Sequence, residues 1–488
     1  MRILFLDLDT LRPDHLGCYG YHRNTSPNID GIADEGMIFT NYYTPNAPCL
    51  PSRASLISGK FGILHGAVNH GGSTADMDKQ GSKRQFRSEI GTESITCMLR
   101  NAGFHTVSIS PFAERHSSFW FYSGFNEMYN TGKGGMESAE DVTPVAMDWL
   151  DRNAKEDNWF LHINYWDAHT PYRAPGEFGN PFEGEPLTAW LTEEVMKEHE
   201  SNIGPHGACE ISMYDDSTNP AYPRHPGSIS GLAGARIMMD GYDCGIRYMD
   251  GHIGRIIEKL KHNGVWEDTA VIVTSDHGEN MGELGIWGEH ATADNITPKI
   301  PMVIKWPGGS MGAKDDALHY NIDLAPTLAE ILGQKGMPSW EGASYAKAIL
   351  EGSECGREEL ILEQCAHVCQ RSVRFGDWIY IRTYHDGYHL FPKEMLFNVE
   401  DDPHEQHDLA KDNPGVCKDA AWRLMNWHDT MMAKRKDAQD PLWITVREGG
   451  PLHARGFLAD YIKRLIATGR EEGVAELIKR HPGEVLDE

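Results

Sequence analysis

Residues able to do chemistry gather at four places in this 488-residue chain. Asp7 and Asp9 stand two apart where the opening apolar run 2–8 ends. Side chains alternate along a strand, so the two carboxylates face the same way. Paired carboxylates on one face need a cation between them, or one must keep its proton. The second place is Cys49-Leu50-Pro51-Ser52-Arg53, which reads as a thiol at a helix start with Pro51 suited to the first turn. The third is Ser275-Asp276-His277-Gly278-Glu279, directly after the apolar run 270–275. The fourth is Trp166-Asp167-Ala168-His169-Thr170-Pro171-Tyr172, directly after the run 159–165. An imidazole with the ordinary pKa of about 6.5 delivers a proton near neutrality, which makes His169 a candidate general acid. Taken singly, each place also has a plain structural reading: a solvated strand end, a buried thiol, or a turn.

The elements that must position these residues alternate. Strand-like runs at 2–8, 105–110, 159–165, 270–275 and 301–306 are separated by helical stretches. One stretch, 237–263, carries Met249, Ile253, Ile256, Ile257 and Leu260 at helical spacing. This pattern predicts an α/β fold with a large central, mostly parallel sheet flanked by helices on both faces. Ligands of such sheets sit beyond the carboxyl ends of the strands, where the polar segments fall. Residues 174–236 are rich in Gly, Pro, Ser and Asn, with one short helical piece near 193–199. They read as a long excursion over the active-site face that walls off a pocket. From about 371 the texture changes to strands, a turn at Asp386-Gly387, and helices from 414 onward. The expected division is a catalytic domain over 1–370 and a smaller C-terminal α+β domain over 371–488, ending in a helical extension.

Composition narrows the partners. Lys plus Arg is 45 against 72 Asp plus Glu, a formal charge of −27. That mean field repels nucleic acid and anionic lipid, so neither is expected as a partner. No apolar run approaches the ~18 residues of a membrane span. The opening MRILFLDLDTLRPD does not read as a signal peptide, because its apolar run meets Asp7 with no small-residue cleavage site after it. The nine cysteines are odd in number and contain no CxxC, which favours free thiols in a reducing, cytoplasmic setting. Cys365 and Cys369 read as two buried thiols.

The string Cys49-x-Pro51-Ser52-Arg53, with Gly59 six residues after the Arg, resembles the signature of the type I, formylglycine-dependent sulfatases of the alkaline phosphatase superfamily. Asp276-His277-Gly278 resembles the second metal half-site of that superfamily, and His169-Thr170-Pro171 its His-x-Pro element. Weaker likenesses run from Tyr248-Met249-Asp250 through Asp323–Thr327 to Leu396-Phe397-Asn398, Asp402-Pro403 and Asp408-Leu409, so the resemblance spans about 1–412. It implies an alkaline phosphatase-like fold and release of inorganic sulfate from an organic ester. It also implies that a separate maturation enzyme oxidises Cys49 to Cα-formylglycine. One hydroxyl of the hydrated aldehyde would attack sulfur, and the second would later expel sulfate. The implied metal ligands are Asp7, Asp9, Asp276, His277 and the modified Cys49. This mostly hard-oxygen set suits Ca²⁺ first, then Mg²⁺ or Mn²⁺. Arg53 would hydrogen-bond the hydrate or a metal-bound carboxylate.

Three departures stand out. The family's adjacent Asp pair reads Asp9-Thr10, which leaves Asp7 or Thr10 to cover a ligand place, with Asp7 preferred on charge. The Gly-Lys-Trp-His element reads Ser110–His116 without a lysine, so Arg115 and His116 are the expected substrate-binding substitutes. The usual Trp-Gly-Lys reads Trp287-Gly288-Glu289-His290, with His290 the nearest replacement. A small sulfated mono- or disaccharide is the expected substrate, because a sulfated polymer would carry many charges into the repulsive field. Trp166, Tyr172 or Trp120 would stack on its ring. The rival readings are a phosphonate monoester hydrolase or phosphodiesterase, and a non-catalytic binding protein on the same scaffold. Trp422, Trp427, Met431, Met432 and Trp443 load the extension with apolar surface, which suits either a homo-oligomer contact or an internal core.

Overall fold

The computed structural model describes residues 1–79, 88–353, 355–435 and 438–484. Residues 436–437 and 485–488 of the expected C-terminal domain therefore lie outside the described residues. In chain order the strands are β1 (Arg2–Leu8), β2 (Met37–Tyr43), β3 (Asn46–Ala47), β4 (His105–Ile109), β5 (Glu127–Tyr129), β6 (Trp159–Tyr165), β7 (Thr269–Thr274), β8 (Asn280–Met281), β9 (Trp287–Glu289), β10 (Met302–Lys305), β11 (Ala313–Tyr320), β12 (Glu359–Gln364), β13 (Cys369–Phe375), β14 (Trp378–His385) and β15 (Glu394–Asn398).

Eight of them form the main sheet in the order β11-β2-β10-β7-β1-β6-β4-β5. β1, at its centre, is buried along its whole length and reads as an unbroken apolar run up to Asp7. It pairs in parallel with β6 and β7, with Asp7 opposite both Asn164 and Thr274. The three strands therefore end level, and Asp9, Trp166 and Ser275 are the first residues past one shared edge. That register brings segments about 150 and 270 residues apart in sequence to one place.

Within this mostly parallel sheet, β10 runs antiparallel to both β2 and β7. The chain leaving β7 crosses the active-site edge through the β8–β9 hairpin and re-enters the sheet from that same edge, so its next strand must point the opposite way. Helices cover both faces. The longest, Gly231–His262, begins six residues before the expected 237 and buries Met249, Ile253, Ile256, Ile257 and Leu260. Its extra turns include Ala235, also buried.

The second sheet has the order β15-β14-β13-β12-β3. It takes in β12, on the N-terminal side of residue 371, and borrows β3 from the start of the chain, with Asn46 opposite Glu363 and Ala47 opposite Gln364. The change of texture at 371 marks β13, whereas β12 (ELILEQ), a short apolar run between polar residues, already belongs to this sheet. Borrowing β3 places the residues just before Cys49 against the C-terminal part of the protein. The extension folds as the helices Pro414–Lys434, Pro441–Arg447, Leu458–Ala467 and Val474–Arg480. Met431 is buried and Trp427 packs edge-on against Phe61, so part of the apolar load is internal core, while Trp422 and Trp443 stay exposed.

Asn46, in β3, is a joint between the second sheet and the helices around Cys49–His65. Its amide donates to Glu363 Oε1 at 2.8 Å and its carbonyl accepts from the Gly62 backbone N–H at 2.6 Å. All of these groups are buried, so truncating Asn46 leaves polar atoms unpaired. Asn46→Ala is expected to cost about 1–3 kcal/mol in urea unfolding of the purified protein. An unchanged midpoint would show that the joint carries no stability.

Candidate active site

The helix Cys49–Ser58 starts at the strand edge and is buried on nearly all sides. It ends at Gly59, whose φ of +67° and 2.6 Å clearance between a hypothetical Cβ and the Trp340 ring leave no room for a side chain. Ser52 fixes its start to the main sheet by donating to the Asp276 carbonyl at 2.6 Å while accepting from Thr44 Oγ1 at 2.9 Å. One turn on, Arg53 reaches back across the edge. Its Nε meets Asp7 Oδ2 at 2.9 Å, one Nη meets Asp9 Oδ2 at 3.0 Å, and the other meets Asp276 Oδ2 at 2.5 Å. The guanidinium, 1% exposed, lies 4.8 Å from the Phe112 ring centroid and 5.7 Å from that of Trp166.

Three carboxylates around one guanidinium leave an excess of negative charge in a buried space. Burial, reinforced by Asp276 and resisted by Arg53, lifts the Asp9 pKa to about 7. Burial also works against ionised Asp7, but Arg53 and then His162 outweigh it and hold that carboxyl below its ordinary value. Asp7 thus sits with Arg53 and with His162, whose Nε2 is 3.2 Å away, while Asp276 and His277 bring ligand atoms within 4.8 Å of each other and of Cys49 Sγ. Asp9 Oδ1 and His277 Nε2 are buried with no hydrogen-bond partner among the described residues. His277 Nδ1 bonds the Gly278 carbonyl at 2.8 Å, which turns the Nε2 lone pair inward, and burial lowers the ring's pKa to about 4. A neutral imidazole and unpaired carboxylate oxygens in surplus are what a divalent cation requires, so these residues fit one. Thr10, the alternative ligand, has a φ of +59°, donates its backbone N–H to Asp276 Oδ1 at 3.2 Å and turns its hydroxyl to the Asp9 carbonyl at 2.7 Å.

Cys49 is 2% exposed. Burial, then Asp9 and Asp276, push its thiol well above the ordinary range, so an unmodified thiol here is a poor nucleophile. Two histidines flank it: His116 Nε2 and His70 Nε2 each lie 3.4 Å from Sγ. His116 was expected near the ester. His70, inside Val68-Asn69-His70-Gly71, gave no sequence signal beyond a histidine among glycines. Arg115 is exposed and lies 5.1 Å from the Trp166 ring centroid, its Nη1 donating to the Gly134 carbonyl at 3.3 Å.

His290 is favoured in its charged form. Burial would neutralise it, but Glu289 and then Glu279 outweigh that and raise its pKa to about 10. Its Nε2 is 2.8 Å from Glu289 Oε1, and its ring is 4.1 Å from the His277 ring. His169 differs from expectation. Burial, helped by Arg173 and Arg115, holds it well below the ordinary imidazole value, which favours the neutral ring. Its Nδ1 bonds the Thr170 carbonyl at 2.7 Å, leaving Nε2 free to face a ligand. Trp166 and Tyr172 are buried to 0% and 2% exposure; Trp166 packs under Arg53 and His169 and Tyr172 against His225 and Tyr242, so neither is a sugar-stacking face. Trp120 is half-buried.

Three histidines that lie far off in sequence complete the ring. His453, from the helical extension, puts Nε2 3.1 Å from His70 Nδ1 and stacks at 4.0 Å on His367 from the β12–β13 turn. His206, from the 174–236 excursion, accepts the Trp287 backbone N–H on its carbonyl at 2.8 Å. The excursion is in turn tied to the extension: buried Glu210 accepts from Tyr461 at 3.0 Å and from Arg464 Nε at 3.1 Å.

A nucleophile position, a carboxylate-histidine metal set and a cationic rim at the level ends of parallel strands define a hydrolase of the alkaline phosphatase superfamily. The sulfatase family's sequence profile matches residues 2–334, and the chain belongs to that family. Among curated relatives, the multifunctional alkaline phosphatase superfamily protein PehA of Trinickia caryophylli is 25% identical over 82% of this chain and 89% of its own. An N-acetylglucosamine-6-O-sulfatase of Bacteroides thetaiotaomicron is 24% identical over 83% and 82%. Among solved structures, one in complex with its substrate D-glucosamine-2-N,6-O-disulfate superposes with a TM-score of 0.70 at 18% identity, covering 90% of this chain and 99% of its own. Among the described residues no helix is long and apolar enough to cross a membrane.

The raised Asp9 pKa has a consequence for the metal-free chain. Between about pH 4 and pH 7 the native state binds a proton at Asp9 that the unfolded state has released, so stability falls as pH rises through this window. Asp9→Asn removes the charge and should flatten that fall and raise the metal-free melting temperature at pH 8, while weakening metal uptake. A variant that melts lower than wild type at pH 8 would contradict the charge excess.

Proposed function

We propose that this enzyme releases inorganic sulfate from a small organic sulfate ester, a sulfated mono- or disaccharide, using a formylglycine at position 49 and one divalent cation. The single observation that carries the reading is Cys49, with its unreactive buried thiol, set between two histidines and a metal-ligand set that includes Asp276 and His277. Ca²⁺, Mg²⁺ or Mn²⁺ bound by Asp9, Asp276, His277 and position 49, with Asp7 behind, would supply Lewis acidity, and an aldehyde hydrate would supply the nucleophilic hydroxyl.

The chain's own residues do the rest. Arg53 holds the three carboxylates in register. His70 and His116 orient the side chain at 49 and receive its hydroxyl proton. The charged His290 and Arg115 attract the anionic ester, standing in for absent lysines. His169 Nε2 takes up a proton when the ester's negative charge arrives and delivers it to the leaving oxygen. The excursion and the extension meet at this site through His206 and His453, which favours a pocket for a small substrate over an open groove. The nine unpaired thiols suit a reducing, cytoplasmic compartment. A maturation enzyme is the required partner. Trp422 and Trp443, half exposed on the extension, suit a contact between copies of the chain.

The test is mass spectrometry of the peptide holding Cys49 from active enzyme, joined to rates on matched aryl sulfate and aryl phosphonate monoesters. Formylglycine shortens the mass by about 18 Da, and the sulfate should be the faster substrate. An unmodified cysteine in fully active enzyme, or equal activity in Cys49→Ala, would defeat the mechanism. A faster phosphonate would move the enzyme to the rival reading, which shares the site. His169→Gln is expected to lower kcat about 10²–10⁴-fold on an alkyl or sugar sulfate and far less on a nitrophenyl sulfate, whose leaving group needs no proton. Equal losses on both would give His169 a binding role instead.

A further inference from the structure

One cluster beside the site is not used by this chemistry. His206 from the excursion, Glu289 at the end of β9 and His367 from the β12–β13 turn place one ligand atom each within 4.8 Å of one another. The two imidazoles address the carboxylate from opposite sides: His206 Nε2 lies 3.5 Å from Glu289 Oε2, and His367 Nε2 lies 3.5 Å from Oε1. Neither approach has hydrogen-bond geometry, and both Nε2 atoms are buried without a partner among the described residues. His206 Nδ1 bonds the Ile211 carbonyl at 2.8 Å and so carries the ring's proton, leaving a lone pair on Nε2 aimed at a carboxylate. The His206 lone pair and the carboxylate repel one another unless a cation lies between them.

Glu289 Oε1 is held by His290 at 2.8 Å, and His367 is fixed by stacking at 5° on His453. The three ligands come from three separate parts of the chain, each tied by its own bonds. Burial keeps both rings neutral, as metal ligands must be, while the charged His290 beside it keeps Glu289 ionised against burial.

We infer that His206, Glu289 and His367 form a second metal site, for a transition-metal dication of the Zn²⁺, Mn²⁺ or Co²⁺ class. Two imidazole nitrogens and one carboxylate are the donors such ions choose over Ca²⁺ or Mg²⁺, with open positions left for water or a substrate oxygen. Tetrahedral ligands at the usual bond lengths stand about 3.4 Å apart, so the cluster needs only a modest contraction. The site adjoins the first one through Glu289–His290–His277, with links of 2.8 Å and 4.1 Å. A cation there neutralises a carboxylate that would otherwise repel an anionic ester. This assignment is independent of which ester is cleaved.

The experiment is a metal count on the whole protein. Chelator-stripped enzyme is loaded with Co²⁺ or Zn²⁺, desalted and analysed by inductively coupled plasma mass spectrometry. Wild type is expected to retain two ions per chain. His206→Gln with His367→Gln should retain one, and Asp9→Asn with Asp276→Asn should retain one, the other. Circular dichroism and melting of the stripped proteins confirm that the variants fold. If His206→Gln with His367→Gln is unfolded, the wild-type count and the single variant Glu289→Gln decide. Wild type retaining a single ion that only the Asp9/Asp276 variant loses would overturn the inference. So would a count unchanged by the histidine and Glu289 substitutions.

Discussion

One guanidinium held among three buried carboxylates organises this protein. Arg53 bonds Asp7, Asp9 and Asp276 with separate nitrogens. At contact distance in a poorly solvated interior, each uncompensated charge is worth several kcal/mol, so the arrangement survives only if its parts fix one another. The level ends of β1 and β7 bring the carboxylates together, and the helix Cys49–Ser58 delivers the arginine. The remaining negative charge shows in the raised Asp9 pKa and in the unpaired oxygen of the same side chain. The site is therefore built to be completed by a cation, and its metal-free form is held less stable than it need be.

The C-terminal part of the chain is joined to this centre at three points. β3, two residues ahead of Cys49, is an edge strand of the second sheet. His367 sits in the turn between the first two antiparallel strands of that sheet, and His453 of the extension bonds His70 beside Cys49. The excursion 174–236 packs on the extension through Glu210, and its His206 faces the same cluster. The ring of histidines is thus assembled only when all parts have folded, which couples the polar centre to the global fold.

The sequence made the centre of the site legible because each key residue follows a buried strand or opens a helix. Asp9, His169 and Asp276 lie just past apolar runs, and the strand pairing was implied by the alternation of runs. The antiparallel sense of β10 was not legible, since an apolar run carries no direction. The start of the second sheet was hidden because β12 offers only a three-residue apolar run between polar residues, and nothing local marks its partner β3. His70, His206, His367 and His453 were missed because each lies in irregular chain, and only tertiary packing joins them. The neutral state of His169 was also out of reach, because a sequence gives the ordinary pKa and burial sets the actual one.

The claim that everything rests on is that a surplus of carboxylate charge at the ends of β1 and β7 is resolved by a proton in the metal-free enzyme and by a cation in the working one. Calorimetric titration of metal-free enzyme with Ca²⁺ or Mn²⁺, in buffers of different ionisation enthalpy at pH 6 and pH 8, measures this directly. The account predicts that binding at pH 6 releases close to one proton per ion at this site, and that the release fades by pH 8 as Asp9 ionises in the free enzyme. Binding without proton release at pH 6, or no binding that depends on Asp9 and Asp276, would contradict it.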